Sequence, residues 1–342
     1  MSRAQLTSTV EQNTGGAVAP FVAGKNKIIN GDFGVWARGT SFTLSGTAYT
    51  YTADRIECLS VSGQYAAVNR VAFTPGSAPV AGYEGNYYLS YANVDTSVGH
   101  VLRQKIENVT TFAGQTITIS FWAKVDTPRT LTMTVIQDFG SGGSTAVGTN
   151  VSFADSSLTT SWKRFAGVVT LPSISGKTIG TNSNLAIPLA IPAGNATLSI
   201  WGLQVEAGSV ATSFTTASGT LQGELALAQR YYFRQSFVAA SQHFGLGQCF
   251  SSTQAYAVIP FPVTMRTAPT SVETTGSAGD YILLNSAASG VTCTAVPTFS
   301  AGWNNAGQVV ATVGSGLTAG NATKLGGLNA TSAAYLGWSA EL

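Results

Sequence analysis

The sequence predicts an all-β protein: an N-terminal arm, a jelly-roll β-sandwich, a short connecting helix and a C-terminal β-sandwich. Three observations carry this expectation. Charged residues are only 9% of the 342, and 38 glycines with 10% aromatics stand in their place. That balance belongs to a turn-rich chain held by packing and hydroxyl hydrogen bonds. Apolar and polar residues alternate in short runs bounded by Gly, Pro, Ser, Thr and Asn, whereas one stretch near residue 225 carries a helical period.

Residues 1–24 show little apolar periodicity and include Gly15-Gly16, Pro20 and Gly24. They read as an arm that docks on a larger partner. Residues 25–218 form the first domain. Asn30-Gly31-Asp32 marks a turn after Ile28-Ile29, and Phe42/Leu44 and Tyr49/Tyr51 begin the strands. Further strands follow at Tyr87–Tyr91 and at Thr116–Lys124, with Ile117, Ile119, Phe121 and Ala123 on one face. Others fall at Leu131–Gln137, Trp162–Phe165 with Val168-Val169, and Leu198–Trp201. The stretch Gly140–Gly148 reads as a mobile loop.

In residues 219–235, Leu221, Leu225, Ala228 and Tyr232 recur at spacings of four, three and four. Either one connecting helix caps the jelly roll, or a short helix meets its copies on an oligomer axis. Residues 236–342 form the second β domain, with strands expected at His243–Phe250, Gln254–Phe261, Tyr281–Leu284, Gly290–Val296 and Gln308–Val313. Its only charges are Arg266, Glu273, Asp280, Lys324 and Glu341, a scarcity that favours self-association.

Several functions are disfavoured by composition. The net charge of +2 comes with scattered basic residues, so nucleic acid is not an expected partner. No apolar run is long enough for membrane insertion, and the N-terminus lacks a secretory apolar core, so folding in a cytoplasm is expected. Cys58, Cys249 and Cys293 have no metal-ligand spacing and read as buried reduced thiols. His100 and His243 lack a nucleophile pattern, so no catalytic residue and no enzymatic activity is expected. Asp54 and Glu57 would lie on opposite faces of a strand, with Arg55 as the obvious ion-pair partner.

The ordered phrases NKIINGDFGVWARGTSF, YTADR, KIENVTTFAGQTITISFWAK and WGLQVEAGSVATSFTT, followed by GELALAQRYY, resemble a jelly-roll module of tailed-bacteriophage structural proteins. IPFPVTMRTAPT and YLGWSAEL are similar to the tip regions of such proteins, and MSRA resembles the start of cyanophage-type tail fibres. The module resembles the galactose-binding-like fold of carbohydrate-binding proteins. The resemblance implies a tail fibre of the virion, assembled in the host cytoplasm. It would be a homotrimer joined to other virion proteins (tail, adaptor or collar) through residues 1–24. It would meet a host-surface glycan or protein. A head fibre, a collar or capsid decoration protein, and a glycan depolymerase or accessory sugar-binding module are the alternatives.

Two candidate sites follow. Jelly rolls of the resembled type often hold a structural calcium, for which Asn30, Asp32 and Glu206 would supply oxygen ligands. Asn30 and Asp32 read equally as turn residues. Sugar recognition uses exposed aromatic faces beside amides. Trp303, Asn304, Asn305, Tyr256 and Trp338 are the candidates in the second domain and Tyr83 in the first, while Trp122, Trp162 and Trp201 are expected in the core.

Overall fold

In a computed structural model, the described residues are 23–45, 48–59, 65–80, 83–93, 100–191, 195–236, 242–284, 289–328 and 334–342. The arm expected at 1–24 thus lies almost wholly outside them. The chain divides into two compact units, and the division is not one cut. Unit 1 holds residues up to Gly34, Ser41–Thr50 and Glu57–Leu221, whereas Val35–Thr40 and Tyr51–Ile56 belong with Gln222–Leu342 in unit 2.

Unit 1 carries β1 (Ser41–Ser45), β2 (Tyr49–Tyr51), β3 (Glu57–Leu59), β4 (Tyr65–Ala72) and β5 (Tyr87–Asn93). Next come β6 (His100–Glu107), β7 (Thr116–Val125), β8 (Arg129–Thr130), β9 (Thr132–Asp138) and β10 (Val147–Asn150). The last are β11 (Ser152–Phe153), β12 (Ser157–Leu158), β13 (Lys163–Thr170), β14 (Asn184–Ile191) and β15 (Ala196–Ala207). They form a seven-stranded sheet, β1-β4-β5-β15-β7-β13-β11, a six-stranded sheet, β10-β9-β14-β6-β3-β2, and a two-stranded pair, β12-β8. The late strand β15 pairs antiparallel with both β5 and β7, a crossover proper to a jelly-roll sandwich.

On β7, Ile117, Ile119, Phe121 and Ala123 are buried as their alternation predicts, but Thr118, Ser120 and Trp122 are buried too. Trp122 belongs to an aromatic layer with Trp201, Phe214, Phe73, Tyr83, Tyr88 and Trp162, while Thr118 donates to Gly208 O and Ser120 accepts from Arg164. Gly140–Gly148 is tied down rather than an open loop. Ser141 and Thr181 exchange backbone hydrogen bonds, the Ser144 N–H donates to Thr178 O at 2.9 Å, and β10 begins at Val147.

The opening segment is fastened by two buried amides. Asn26 donates through Nδ2 to Leu203 O and Thr215 O, and its Oδ1 accepts from the N–H groups of Ile28 and Val205. Gln104 on β6 brackets Ile29, accepting its N–H at 2.8 Å and donating to its carbonyl at 2.7 Å. Gly31 lies so close to Leu203 O that a Cβ has no room, which fixes the turn against the bulge in β15.

Unit 2 contains α1 (Leu221–Gln229), whose first residue falls in unit 1, then β16 (Tyr232–Ser236), β17 (His243–Cys249), β18 (Gln254–Pro260) and β19 (Glu273–Thr274). It continues with β20 (Tyr281–Leu284), β21 (Gly290–Trp303), β22 (Ala306–Val313), β23 (Ala322–Gly327) and β24 (Tyr335–Ser339). The unit is all β as expected, but its main sheet is a closed barrel, β17-β18-β22-β21-β20-β23, where the pattern suggested a sandwich. Closure removes the free edges that an open sheet would expose. A separate sheet has the order β16-β24-β19.

The helix is nine residues, shorter than the expected 219–235. Tyr232 is not on it, because Tyr232, Phe233 and Arg234 pair with Ser339, Trp338 and Gly337 as a strand. Ala228 is buried, whereas Leu221 and Leu225 are exposed.

Charged side chains inside unit 2 pair with one another and with aromatic rings. Arg55 bonds to Glu341 and lies 3.6 Å above the Tyr231 ring. Arg38 reaches Glu341 at 3.5 Å and Asp54 at 3.8 Å, with its guanidinium 3.4 Å from the Tyr232 ring centre. Arg55 therefore pairs with a residue 286 positions away. Glu57, in unit 1, joins Arg103 at 2.5 Å and Lys105 at 3.5 Å. All three cysteines are buried and unbridged, as their apolar settings predict.

Removing one partner of a buried pair leaves the other charge without compensation. Arg55→Met is expected to destabilise the protein by about 3–5 kcal/mol in urea unfolding, and Arg55→Met with Glu341→Leu to recover much of the loss. Burial pushes the Asp54 carboxyl up from 3.8 to about 6, against the pull of Arg38. The folded state then holds this proton more tightly than the unfolded chain. Its contribution to stability is full below about pH 4 and declines as pH rises to about 6. Asp54→Asn is expected to remove that slope from a series of melting curves.

Candidate functional site

The outer face of the barrel gathers the exposed aromatic residues of unit 2. On β18 the inward residues Ala255, Ala257 and Ile259 are fully buried, and the alternate positions Tyr256 and Val258 are exposed at 38% and 42%. Directly opposed residues in a ladder share a face, so the registers extend this surface strand by strand. Val258 lies opposite Leu246 on β17 and Gln308 on β22. Tyr256 lies opposite Gln248 and Val310. Leu246 is 69% exposed. Phe250, just after β17, stacks on Tyr256 at 4.4 Å with 27° between the planes.

Trp303 joins the same face. It opposes Ala306, which opposes Pro260, in the row next to Val258 and Gln308. From strand rise and spacing, Tyr256 and Trp303 stand roughly 15 Å apart. Trp303 is exposed because the hairpin behind it is fully engaged. Asn304 donates its side-chain amide to Met265 O at 3.3 Å and accepts the Met265 N–H on its own carbonyl at 2.7 Å. The Asn305 carbonyl accepts from Phe261 at 2.8 Å, and Gly302 touches Pro269 O too closely for any side chain. Asn304 and Asn305 are thus exposed, with the Asn304 amide hydrogen-bonded to the chain.

Trp338 is a correction. It is wholly buried, stacked on Phe233 at 6.1 Å and packed against Phe261 at 5.3 Å, with Gly307 closing over its indole nitrogen. As part of the central strand of the small sheet it cannot meet a ligand. Leu246, Phe250, Val258 and Val310 were missed from the sequence. Their strands are apolar in both phases, and alternation does not say which phase faces out.

Among the residues placed on this face, Lys324, opposite Leu246, carries the only charge. Burial and Lys324 hold the nearby His243 below its ordinary value, so it is neutral at pH 7. The face offers apolar and aromatic area with amides at Gln248, Gln308 and Gln254, and no convergent acid, base or nucleophile.

The calcium candidates are placed differently. Glu206 is buried, ion-paired to Lys25 at 3.3 Å, and accepts from the Thr212 N–H, the Thr212 hydroxyl and Gln204. Despite its burial these hydrogen bonds hold it below the usual carboxylate value. Asn30 is buried in a left-handed turn (φ 61°), and Asp32 Oδ1 accepts from Gly34 at 3.4 Å. Among the described residues no three His, Cys, Asp or Glu side chains gather as a metal site.

No protein-family model matches the chain, and no curated protein matches it in sequence. Solved structures give loose likenesses. The CBM22-1 xylan-binding domain of Paenibacillus barcinonensis Xyn10C is 15% identical, with 56% of this chain and 99% of that one covered and a TM-score of 0.34. An apo cyclase from Fischerella sp. is 13% identical over 54% and 96%, at 0.34. The enzymatically active domain of bacteriophage CBA120 tailspike protein 4 is 14% identical over 54% and 22%, at 0.31. The fold assignment rests on the chain's own sheet topology.

The two kinds of tryptophan separate cleanly in stability. Trp338→Ala is expected to cost about 3–5 kcal/mol. Trp303→Ala and Tyr256→Ala should cost under about 1 kcal/mol, as read by urea unfolding.

Proposed function

We propose that this chain is a non-catalytic adhesive protein of a tailed-phage particle, a tail fibre that meets a surface glycan through the outer face of its C-terminal barrel. The observation that carries this reading is the surface, with Lys324 its one charge among the residues placed on it, on which the Phe250–Tyr256 stack and Trp303 are exposed together. Aromatic faces stack on sugar C–H surfaces, and glutamine amides reach the hydroxyls. The protein acts as a homotrimer held to the particle through residues 1–24. Weak contacts repeated over several copies then sum to firm attachment. The phage assignment is supported by the resemblance of its ordered sequence phrases. The lack of convergent catalytic groups on the face supports binding over depolymerisation.

The test uses the full chain, fluorescently labelled, on bacterial cells. Tyr256→Ala with Trp303→Ala is expected to lower cell binding at least tenfold while the melting temperature stays close to that of the parent. Unchanged binding would overturn the assignment of this face. Imaging of particles labelled at residue 342 is expected to place the label at the tail. A label on the head would replace the fibre with a head fibre or decoration protein, and release of reducing sugar from surface polysaccharide would make it an enzyme.

A further inference from the structure

A cleft of about 380 Å³ opens in unit 1 and is lined by Asp32, Tyr83, Glu84, Asn86, Tyr87 and Leu221. Its volume lies in the range of small-molecule sites. Its walls are held in place by the fold. The Tyr83 ring packs edge-on against Trp201 at 5.3 Å and Phe214 at 5.6 Å, so the aromatic layer fixes one wall. The Tyr87 ring is backed by the Arg70 guanidinium at 4.3 Å. Gly85 lies between them, where any side chain would strike the Trp201 indole. Asp32 is set by the left-handed residues on either side of it, Asn30 and Phe33, at φ 61° and 55°. Glu84 accepts from the Gly76 N–H at 3.3 Å through one oxygen.

We infer that this cleft is a second binding site, for a single uncharged pyranose ring. Two tyrosine rings offer faces for C–H stacking. When ionised, the lining carboxylates of Asp32 and Glu84 accept and cannot donate, which suits a ligand rich in hydroxyl donors. Asn86 adds a donor for a ring or glycosidic oxygen. Two carboxylates with no cation among the lining residues repel an acidic sugar. Leu221, 71% exposed at the rim, finds a role here as apolar cover for the ring.

Saturation-transfer NMR on the full chain tests this with three ligands that share one ring: methyl β-D-glucopyranoside, D-glucuronate and D-glucosamine. To keep the barrel face from contributing, the protein carries Tyr256→Ala and Trp303→Ala. Transfer to the neutral glucoside and none to glucuronate is expected. Tyr83→Ala should reduce the transfer at least fivefold. Glu84→Gln keeps an acceptor for Gly76, removes a charge, and should admit glucuronate. No transfer to the glucoside, transfer to glucosamine alone, or a signal indifferent to Tyr83→Ala would each overturn the inference. Because the barrel residues are absent from this protein, failure here leaves the reading of that face untouched, and the reverse holds too.

Discussion

The inward direction of the charges is the constraint on which much of this structure depends. Of its few ionisable groups, the chain buries Asp54, Arg55, Glu57, Glu206 and Glu224. Arg55 and Glu341, Arg38 and Asp54, and Glu206 and Lys25 are all pairs with at least one nearly buried member. Such pairs add little net stability compared with apolar residues of the same size, but they penalise wrong pairings heavily. In unit 2 they fasten residues 35–40 and 51–56 to a segment nearly three hundred positions later. On the outer face of the barrel, amides and aromatic rings predominate, with Lys324 the one charge among the residues placed there.

That distribution decides the chemistry available outside. A face with a single charge steers a partner only weakly from a distance, and most of its contacts are short-ranged. It can stack and hydrogen-bond. The barrel supplies a stiff support because its strands close on themselves, with alanine and isoleucine inside and tyrosine, valine, leucine and tryptophan outside. Rigid aromatic rings lose little entropy on binding, which suits weak contacts repeated over several copies.

Much of the fold was legible in the sequence, for identifiable reasons. Thr116–Lys124 and Tyr281–Leu284 were clear because alternation and turn residues agreed. β14 escaped notice because Pro188 sits within it, and proline argues against an inner strand. The structure accommodates it because Pro188 faces Arg103 on β6 while the ladder to β9 skips Ile187 and Pro188. β6 was hidden by Gln104, a buried polar residue in the apolar phase, whose role becomes visible only once Ile29 is beside it. Trp338 was misread for a related cause. Its small and polar neighbours resemble a loop, and its burial is set by pairing with β16, about a hundred residues earlier. Tyr256 and Trp303 were found because aromatic residues beside amides are rare enough to notice. That they share a face followed only from the registers of three strands.

We propose that attachment runs through a surface whose aromatic rings and amides outweigh its one charge, Lys324. The most direct measurement is cell binding of the full chain across ionic strength, from about 0.01 M to 1 M salt, over which the screening length falls from about 30 Å to 3 Å. Aromatic stacking and neutral hydrogen bonds predict an affinity that changes less than twofold over this range. A steep loss of binding with salt would contradict the account and place attachment on the few exposed charges instead.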